Sequence, residues 1–171
     1  MIDTPNIILT GFMGSGKTTV GRTLARRLDW EFLDMDVEIE RVAEMSVTEI
    51  FRRYGEVRFR SEESVLIDKL RRQRDCVIAT GGGTVLNPDN LKRLDEIGVI
   101  VHLHVTLAEA VSRIKQKNTR PLLKKSWEEL DEIWRSRQSV YWQAEVSIDT
   151  SGKTVETIAQ EIITYLQERG A

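Results

Sequence analysis

The chain has 171 residues, of which 40% are hydrophobic and 30% charged, so we expect one globular domain that spans residues 1–171. Its net charge of −2 provides no basic surface for nucleic acid, and no apolar run is long enough to cross a membrane. The single cysteine, Cys76, cannot form an internal disulfide, and the N-terminus shows no signal-peptide pattern, which together favour a cytoplasmic protein.

Strand and helix patterns alternate along the chain, which is typical of a mostly parallel sheet with helices on both faces. Short apolar runs predict five strands, at about residues 6–10, 31–34, 76–80, 99–105 and 146–150. Helical spacing and capping residues predict helices at about 18–28, 37–53 with a break near 45–46, 56–72, 88–98, 107–116, 127–142 and 154–168. The predicted fold class is therefore α/β, in three α/β/α layers around a five-stranded parallel sheet.

The segment between the first strand and the first helix reads G-x-x-x-x-G-K-T from Gly11 to Thr18. Glycines at positions 11, 14 and 16 permit positive φ, so that successive backbone N–H groups can point at phosphate oxygens. Lys17 would place a charge between the β- and γ-phosphates, and the Thr18 hydroxyl is a ligand for Mg²⁺. An ordinary glycine-rich turn is the alternative, but the flanking strand and helix favour a nucleotide-binding P-loop.

Two aspartates, Asp34 and Asp36, follow the second strand. Residues two apart in a strand point to the same face, and ligands bind beyond the carboxyl ends of parallel strands, so both carboxylates could reach the space above the P-loop. A phosphoryl transferase needs a carboxylate to hold Mg²⁺ and a group to orient and deprotonate the attacking hydroxyl. A helix cap is the alternative for either residue, but beside a P-loop the catalytic interpretation is favoured.

Other segments carry groups that suit an anionic substrate. The run Gly81–Gly83 directly follows a strand, which indicates either close approach of the backbone to a ligand or a plain flexible loop. Arg60 shares a helix face with Glu63, and Arg137 lies on a later helix. Arginine forks match carboxylates bidentately, although spacing alone does not favour Arg60 over Arg58.

A polar and basic stretch at 115–125 has no helical or strand periodicity. It is predicted to be a mobile lid, which would close over the phosphates and bring Arg120 to the charge that develops on the transferred group. A solvent-exposed loop is the alternative interpretation.

Together these motifs resemble the shikimate kinase family of nucleoside monophosphate kinase-like proteins, over nearly the whole chain. The matching motifs are G-x-x-G-x-G-K-T at 11–18, D-x-D at 34–36, F-R-x-x-E at 59–63, G-G-G at 81–83, R-P-L-L at 120–123, and an arginine four residues before a tyrosine, Arg137 and Tyr141. The P-loop alone indicates only an NTPase, whereas the other motifs in this order are far more specific. The resemblance implies a P-loop kinase fold with a substrate-binding helical segment at about 37–63 and a lid at about 114–126.

The activity implied by the resemblance is transfer of the γ-phosphoryl group of ATP to the 3-hydroxyl of shikimate, on the route to chorismate and the aromatic amino acids. Asp36 would bind the substrate hydroxyls and act as base, assisted by Lys17 and Arg120. Thr18 would bind Mg²⁺ directly and Asp34 would bind it through water. The residues implied to bind ATP are Gly14, Ser15, Gly16, Lys17, Thr18, Thr19, Arg113 and Arg120. The residues implied to bind shikimate are Asp36, Arg60, Gly82, Arg137, Phe51, Phe59 and Glu63.

The chain departs from the family pattern after Arg137, where Gln138-Ser139-Val140 lacks the usual proline. Arg135 therefore remains an alternative partner for the shikimate carboxylate. A related small-molecule kinase, such as a gluconate kinase, and a non-enzymatic nucleotide-binding module are the alternative functions. We expect a monomer that binds shikimate and ATP and has no nucleic-acid or membrane partner.

Overall fold

The structure of the protein is a computed structural model that describes residues 4–114 and 121–169. Within these ranges, five strands form one parallel sheet: β1 (Asn6–Thr10), β2 (Glu31–Asp34), β3 (Cys76–Ala79), β4 (Val99–His104) and β5 (Val146–Asp149). Their order across the sheet is β2-β3-β1-β4-β5, which places β1 at the centre. The predicted five-stranded parallel sheet is confirmed.

Helices alternate with the strands along the chain, as the sequence pattern predicts. The α-helices of the described ranges are α1 (Lys17–Leu28), α2 (Met35–Ala43), α3 (Val47–Leu70), α4 (Pro88–Asp95), α5 (Leu107–Arg113), α6 (Trp127–Tyr141) and α7 (Val155–Arg169). Short 3-10 turns lie at Thr84–Leu86 and Pro121–Lys124. None of the helices in the described ranges is both long and apolar enough to cross a membrane.

The central strand is apolar on both sides because helices cover both faces of the sheet. Ile7 and Leu9 pack into a core shared with α1 and α7, where Leu24 and Ile162 are fully buried. Ile8 packs into the core on the opposite face, which contains buried side chains of α2, α3, α4, α5 and α6. The predicted three-layer α/β/α arrangement is therefore confirmed.

The predicted helix break near residues 45–46 is confirmed and has a clear local cause. Ser46 caps α3: its side chain accepts the Glu49 N–H, while the Glu49 carboxylate accepts the Ser46 N–H at 3.1 Å. The prediction of a second break before residue 56 is only partly right. Gly55 has φ 78° and ψ 176°, but the helix resumes at the next residue and ends at Leu70 rather than near residue 72.

Two helix ends were predicted too late. α4 ends at Asp95 and not at Gly98. A Cβ atom at Gly98 would lie 2.3 Å from the carbonyl oxygen of Asn6, so this glycine allows β4 to approach β1 and does not mark the end of the helix. α5 ends at Arg113 and not near residue 116, and Ile114 has an extended backbone conformation.

One buried side chain ties the start of the sheet together. The Asn6 amide nitrogen donates to the carbonyl oxygens of Gln73 at 3.0 Å and Ile97 at 2.8 Å. Its amide oxygen accepts the backbone N–H of Cys76 at 3.2 Å. Asn6 is fully buried, and its side chain satisfies two carbonyl groups from the segments before β3 and β4 and the N–H group of Cys76, the first residue of β3.

We predict that Asn6→Ala lowers the free energy of unfolding by about 2–4 kcal/mol, because it leaves buried backbone groups without partners. Urea denaturation followed by circular dichroism measures this change. Gln73→Ala is the control, since only the backbone carbonyl of Gln73 bonds to Asn6, and it should change the stability by less than about 0.5 kcal/mol. Equal stability of the two variants would contradict the role given to Asn6.

Candidate active site

The P-loop leaves β1 at the centre of the sheet and passes directly into α1. Gly11, Gly14 and Gly16 have φ of 145°, 75° and 95°, as the sequence predicts. A Cβ atom at Gly11 would lie 2.6 Å from the carbonyl oxygen of Leu103, and one at Gly14 would lie 2.3 Å from that of Ala110. The loop is therefore packed against β4 and α5, and a side chain at either glycine would force backbone to move.

The P-loop ends at a helix N-terminus that can bind an anion. Gly16 is the N-cap of α1, and Lys17, Thr18 and Thr19 form the first turn, whose N–H groups have no partners within the helix. The structure describes every residue of this first turn. None of them has an acidic side chain that would offset the partial positive charge of the helix N-terminus. Ser15 is buried, whereas Thr19 is exposed. This is the arrangement expected of a phosphate-binding loop.

The Lys17 ammonium group lies against the backbone of the same loop. Its Nζ atom donates to the carbonyl oxygens of Gly11 at 2.8 Å and Phe12 at 3.1 Å. These bonds hold the charge where it could reach a phosphate group bound by the loop.

Thr18 and Asp34 are brought together at the edge of the P-loop. The Thr18 hydroxyl donates to Asp34 Oδ2 at 2.7 Å. The other carboxylate oxygen, Oδ1, accepts the N–H groups of Asp36 at 3.0 Å and Val37 at 3.4 Å, and thereby caps α2. The helix cap therefore uses Oδ1, whereas Oδ2, which could take part in holding a metal ion, faces Thr18. A hydroxyl and a carboxylate are hard oxygen ligands, which suit Mg²⁺.

Asp36 and Glu63 both approach the glycine run after β3. A Cβ atom at Gly81 would lie 3.0 Å from Asp36 Oδ1 and 2.8 Å from Glu63 Oε1. One at Gly83 would lie 2.5 Å from Arg60 Nη2. The run Gly81–Gly83 is thus a tightly packed turn and not a plain flexible loop, because three charged side chains lie against its backbone.

Arg60 is held by two carboxylates of its own helix. Its Nη1 donates to Glu63 Oε2 at 2.8 Å, while its Nε and Nη2 donate to Glu56 Oε1 at 3.2 and 3.1 Å. Burial lowers the pKa of the Arg60 guanidinium, but Glu63 and Glu56 outweigh this effect and raise the pKa above its usual value. Arg58, the alternative considered from the sequence, is exposed and pairs with Glu62. Arg60 and not Arg58 therefore faces the turn.

The aromatic side chains expected beside the substrate lie together. The rings of Phe51 and Phe59 have centroids 4.9 Å apart, and the Arg60 guanidinium lies 5.4 Å from the Phe59 ring centroid. Phe59 is buried and Phe51 half-buried, so they form an apolar wall next to the arginine.

Arg137, and not Arg135, lies at this site. A Cβ atom at Gly82 would lie 3.7 Å from Arg137 Nη1, and the Arg137 guanidinium lies 5.8 Å from the Phe12 ring centroid. Arg135 is exposed and bonds to Asp131 of the same helix at 2.6 Å. The missing proline after Arg137 therefore does not displace it.

Tyr141 fixes the middle of the glycine turn. Its hydroxyl donates to the carbonyl oxygen of Gly82. Burial raises the pKa of the Tyr141 hydroxyl, although nearby Arg137 and Arg60 act to lower it. The phenol is therefore a stable hydrogen-bond donor at neutral pH.

Arg113 connects the P-loop to the end of β5. Its guanidinium donates to Thr150 Oγ1 and to the Thr150 carbonyl oxygen, each at 3.0 Å, and to the Gly14 carbonyl oxygen at 3.5 Å. It also pairs with Glu109 of α5 at 2.5 Å. Arg113 is thus placed beside the P-loop.

The predicted lid lies largely outside the described residues. Arg120 and the other residues of 115–120 lie outside the described residues, so their roles remain predictions. The following residues Pro121–Lys124 form a 3-10 turn, and Ser126 caps α6 with Glu129 in the predicted capping box.

Sequence reasoning missed four residues that hold the site residues in place. Thr84 donates to Glu63, Glu56 binds Arg60, Tyr141 binds Gly82, and Thr150 binds Arg113. Only Tyr141 had a signal in the sequence, since it belongs to a family motif. The others could not be found by spacing, because their partners lie on different elements or, for Glu56, among many charged residues of α3.

A histidine lies inside the sheet next to the P-loop strand. His102 pairs in register with Thr10, stacks on Tyr141 with ring centroids 5.3 Å apart, and has Nδ1 3.1 Å from Ser147 Oγ. Burial, together with His104 and Lys17 nearby, lowers the pKa of His102 from 6.5 to about 4. It is therefore neutral near pH 7. No group of three or more metal-binding side chains occurs in the part of the chain that the structure describes.

Comparisons with known proteins point to one family. A family model described as shikimate kinase matches residues 13–167. A shikimate kinase from Pelotomaculum thermopropionicum is 45% identical over 165 residues, which cover 95% of this chain and 96% of that protein. The chain belongs to the shikimate kinase family. As a member of this family it is a phosphotransferase that acts on an alcohol group and uses ATP as cosubstrate.

Solved structures of the shikimate kinase family have the same fold. The structure of shikimate kinase from Acinetobacter baumannii in complex with shikimate has a TM-score of 0.93 and 36% identity, and covers 98% of this chain and 96% of that one. A gluconokinase from Sinorhizobium meliloti has a TM-score of 0.60 and 18% identity, with coverage of 96% and 92%. The second likeness shows a shared P-loop kinase fold only.

We predict that His102 titrates with a midpoint near pH 4. The chain has two histidines, so NMR of the imidazole C2 protons follows each one, and His104→Gln leaves only the His102 signal. Because the unfolded state takes up this proton below about pH 6.5 and the folded state does not, stability falls as the pH drops from 6.5 to 4, by about 3 kcal/mol in total. His102→Phe should remove this part of the slope. A His102 midpoint near 6.5 would contradict the prediction.

Proposed function

We propose that the chain transfers the γ-phosphoryl group of ATP to the 3-hydroxyl of shikimate, giving shikimate 3-phosphate and ADP. The observation that carries this proposal is the position of the glycine turn 81–83. It has Asp36, Arg60 and Arg137 against it, and Gly82 approaches the P-loop, since a Cβ atom there would lie 3.8 Å from the Gly11 carbonyl oxygen and the Met13 nitrogen. A carboxylated alcohol held at this turn would have its hydroxyl next to the bound phosphates.

The shikimate assignment is supported by family membership and by the chemistry of Arg60 and Arg137, which we call the carboxylate clamp. The similar Acinetobacter protein has been solved with shikimate bound. Arg60 and Arg137 approach the turn from different helices, so together they could hold one carboxylate. Phe51 and Phe59 would cover the apolar side of the ring, and the Gly82 N–H would contact its hydroxyls.

The phosphates of ATP would bind in the P-loop. The N–H groups of Gly14, Ser15, Gly16 and the first turn of α1 would bind the phosphate oxygens, and Lys17 would neutralise their charge. Arg113, fixed between Gly14 and Thr150, would flank the adenine. Arg120 would reach the phosphates from the lid at about 114–126.

Mg²⁺ is part of the proposal, because Thr18 and Asp34 already form an oxygen pair beside the P-loop. Thr18 would bind the ion directly and Asp34 through water. The ion would supply neutralisation of the charge on the phosphate oxygens. Asp34 would keep capping α2 through its other oxygen while it takes this role.

Asp36 would orient the acceptor hydroxyl and take its proton. It lies on the first turn of α2, where the Asp34 cap fixes its backbone, and it faces the glycine turn. Phosphoryl transfer asks little covalent work of the protein, so positioning and charge neutralisation would supply most of the rate.

We further propose that residues 1–171 form one catalytic domain, which works as a monomer in the cytoplasm. The groups assigned to the site in the described ranges lie on turns and helices that pack on one sheet. The reaction draws on ATP, the common phosphate donor of that compartment.

The direct test is an ADP-release assay with the purified chain, Mg·ATP and three acceptor conditions. We expect ADP release with shikimate, little with gluconate and almost none without an acceptor. Preference for gluconate would assign the chain to another class of small-molecule kinase. Nucleotide binding without acceptor-dependent turnover would indicate a non-enzymatic module.

We predict that Asp36→Asn lowers kcat by about 10²–10⁴ and leaves ATP affinity unchanged, because the amide cannot take the proton of the hydroxyl. Steady-state kinetics and nucleotide titration measure the two effects. Asp95→Asn, a change at an exposed residue of α4, is the matched control and should keep normal turnover. Near-normal kcat in Asp36→Asn would exclude Asp36 as the base.

The two arginines of α6 give a second, internally matched test. Arg137→Lys should raise the KM for shikimate about tenfold or more, because lysine cannot form the bidentate contact, while the KM for ATP stays within about twofold. Arg135→Lys should leave both constants near wild type, since Arg135 pairs with Asp131 at the surface. The reverse result would place Arg135 in the clamp.

A further inference from the structure

Behind the glycine turn, three polar side chains are buried where water has little access. Glu63 of α3 and Thr84 of the 3-10 turn are 0% exposed, and Asn90 of α4 is 1% exposed. Buried polar groups of this kind need hydrogen-bond partners, and a buried carboxylate needs them most. The partners of Glu63 therefore determine how its carboxylate is oriented.

Glu63 has one partner on each carboxylate oxygen among the bonds of the described residues. Oε2 accepts from Arg60 Nη1 at 2.8 Å, and Oε1 accepts from the Thr84 hydroxyl at 2.6 Å. The second distance is typical of a short, charge-assisted hydrogen bond. Thr84 thus holds the side of Glu63 that faces away from Arg60.

Thr84 is itself fixed from α4. The Asn90 amide nitrogen donates to the Thr84 carbonyl oxygen at 3.2 Å. The Asn90 oxygen accepts from Ser64 Oγ at 2.9 Å and from Arg93 Nη2 at 3.0 Å. Ser64 adjoins Glu63 on α3, so these bonds tie the 3-10 turn back to the helix that carries Arg60.

The glycine turn packs closely against Arg60 and Glu63 on one side. The Arg60 guanidinium lies so close to Gly83 that a Cβ atom there would be 2.5 Å from Nη2. Glu63 Oε1 would lie 2.8 Å from a Cβ atom at Gly81. The turn backbone therefore limits both groups on one side, and Thr84 completes the support.

We propose that Thr84 is a positioning residue for substrate binding: through the buried Glu63 carboxylate it sets the orientation of the Arg60 guanidinium that takes the carboxylate of the acceptor. This inference rests on the proposed function, because it assigns Arg60 to the acceptor. Thr84 lies in the 3-10 turn and not on α3, and its side chain is 0% exposed.

Without the Thr84 hydroxyl, Glu63 Oε1 would lose its hydrogen-bond donor. A buried carboxylate that loses one of two hydrogen bonds pays a large desolvation penalty and turns towards its remaining donor. That donor is Arg60, so the guanidinium would be drawn into a different contact with Glu63. Its N–H groups would then no longer point where the acceptor carboxylate binds.

The test compares Thr84→Val, which replaces the hydroxyl by a methyl group of similar size, with Thr84→Ser, which keeps the hydroxyl. We expect Thr84→Val to raise the KM for shikimate about tenfold, with the KM for ATP and kcat within about threefold of wild type. Thr84→Ser, which keeps the hydroxyl, should have a KM for shikimate close to that of the wild type. A uniform loss of kcat and of both affinities would instead show a general structural role and overturn the inference.

Thr80→Val is the matched control for the loss of a buried threonine hydroxyl. Thr80 is buried and donates to the Leu9 carbonyl oxygen at 3.1 Å, but it has no bond to Glu63 among the described residues. It should lose stability to a similar degree without the selective change in shikimate KM. An equal rise in shikimate KM for both variants would refute a specific role of Thr84.

A double-mutant cycle tests whether Thr84 acts through Arg60. Binding of shikimate measured by calorimetry should be weakened by Thr84→Val in the wild type but not further weakened in an Arg60→Ala background. Additive effects would overturn the inference and leave the proposed function intact. A wild-type chain that binds no shikimate would remove the proposed function, and the inference with it.

Discussion

Close approach of the backbone, which only glycine allows, is the constraint on which this site depends. Gly11 and Gly14 let the P-loop pack on the backbone of β4 and α5, and Gly81 and Gly83 let the ends of charged side chains lie against the turn after β3. A Cβ atom at any of these four positions would lie within 3.0 Å of a neighbouring atom. The turns that follow the adjacent strands β1 and β3 therefore lie side by side at one edge of the sheet, where we propose that the phosphates and the acceptor bind.

The charged groups of this edge serve structure and chemistry at once. Asp34 caps α2 with one oxygen and meets Thr18 with the other. Glu63 links α3 to the turn after β3 while it holds Arg60. Such groups are costly to bury unless every polar atom finds a partner, so the site can be rigid only as a complete network. This explains why the residues that support the site are spread over α2, α3, α4 and α6.

The local rules of the sequence predicted the sheet, its alternating helices and the positive φ of Gly11, Gly14 and Gly16, because these depend on neighbours along the chain. These local rules gave wrong or incomplete predictions where the role of a residue depends on a contact with a residue that is distant in the chain. Gly98 looked like a helix end, but its role is to approach Asn6, which lies more than ninety residues away in the chain. Likewise, the choice of Arg137 over Arg135 depends on which face of α6 meets Gly82, and no spacing in the sequence contains that information.

The contact between Glu56 and Arg60 also changes how the affinity of the site is understood. Glu56 occupies Nε and Nη2 of Arg60, and its side chain is 65% exposed. A carboxylate that arrives from solvent would therefore compete with Glu56 for this edge of the guanidinium. The gain in free energy at Arg60 would then be a difference between two similar contacts, so Arg137 and the contacts with the ring hydroxyls would contribute more to discrimination than Arg60 does.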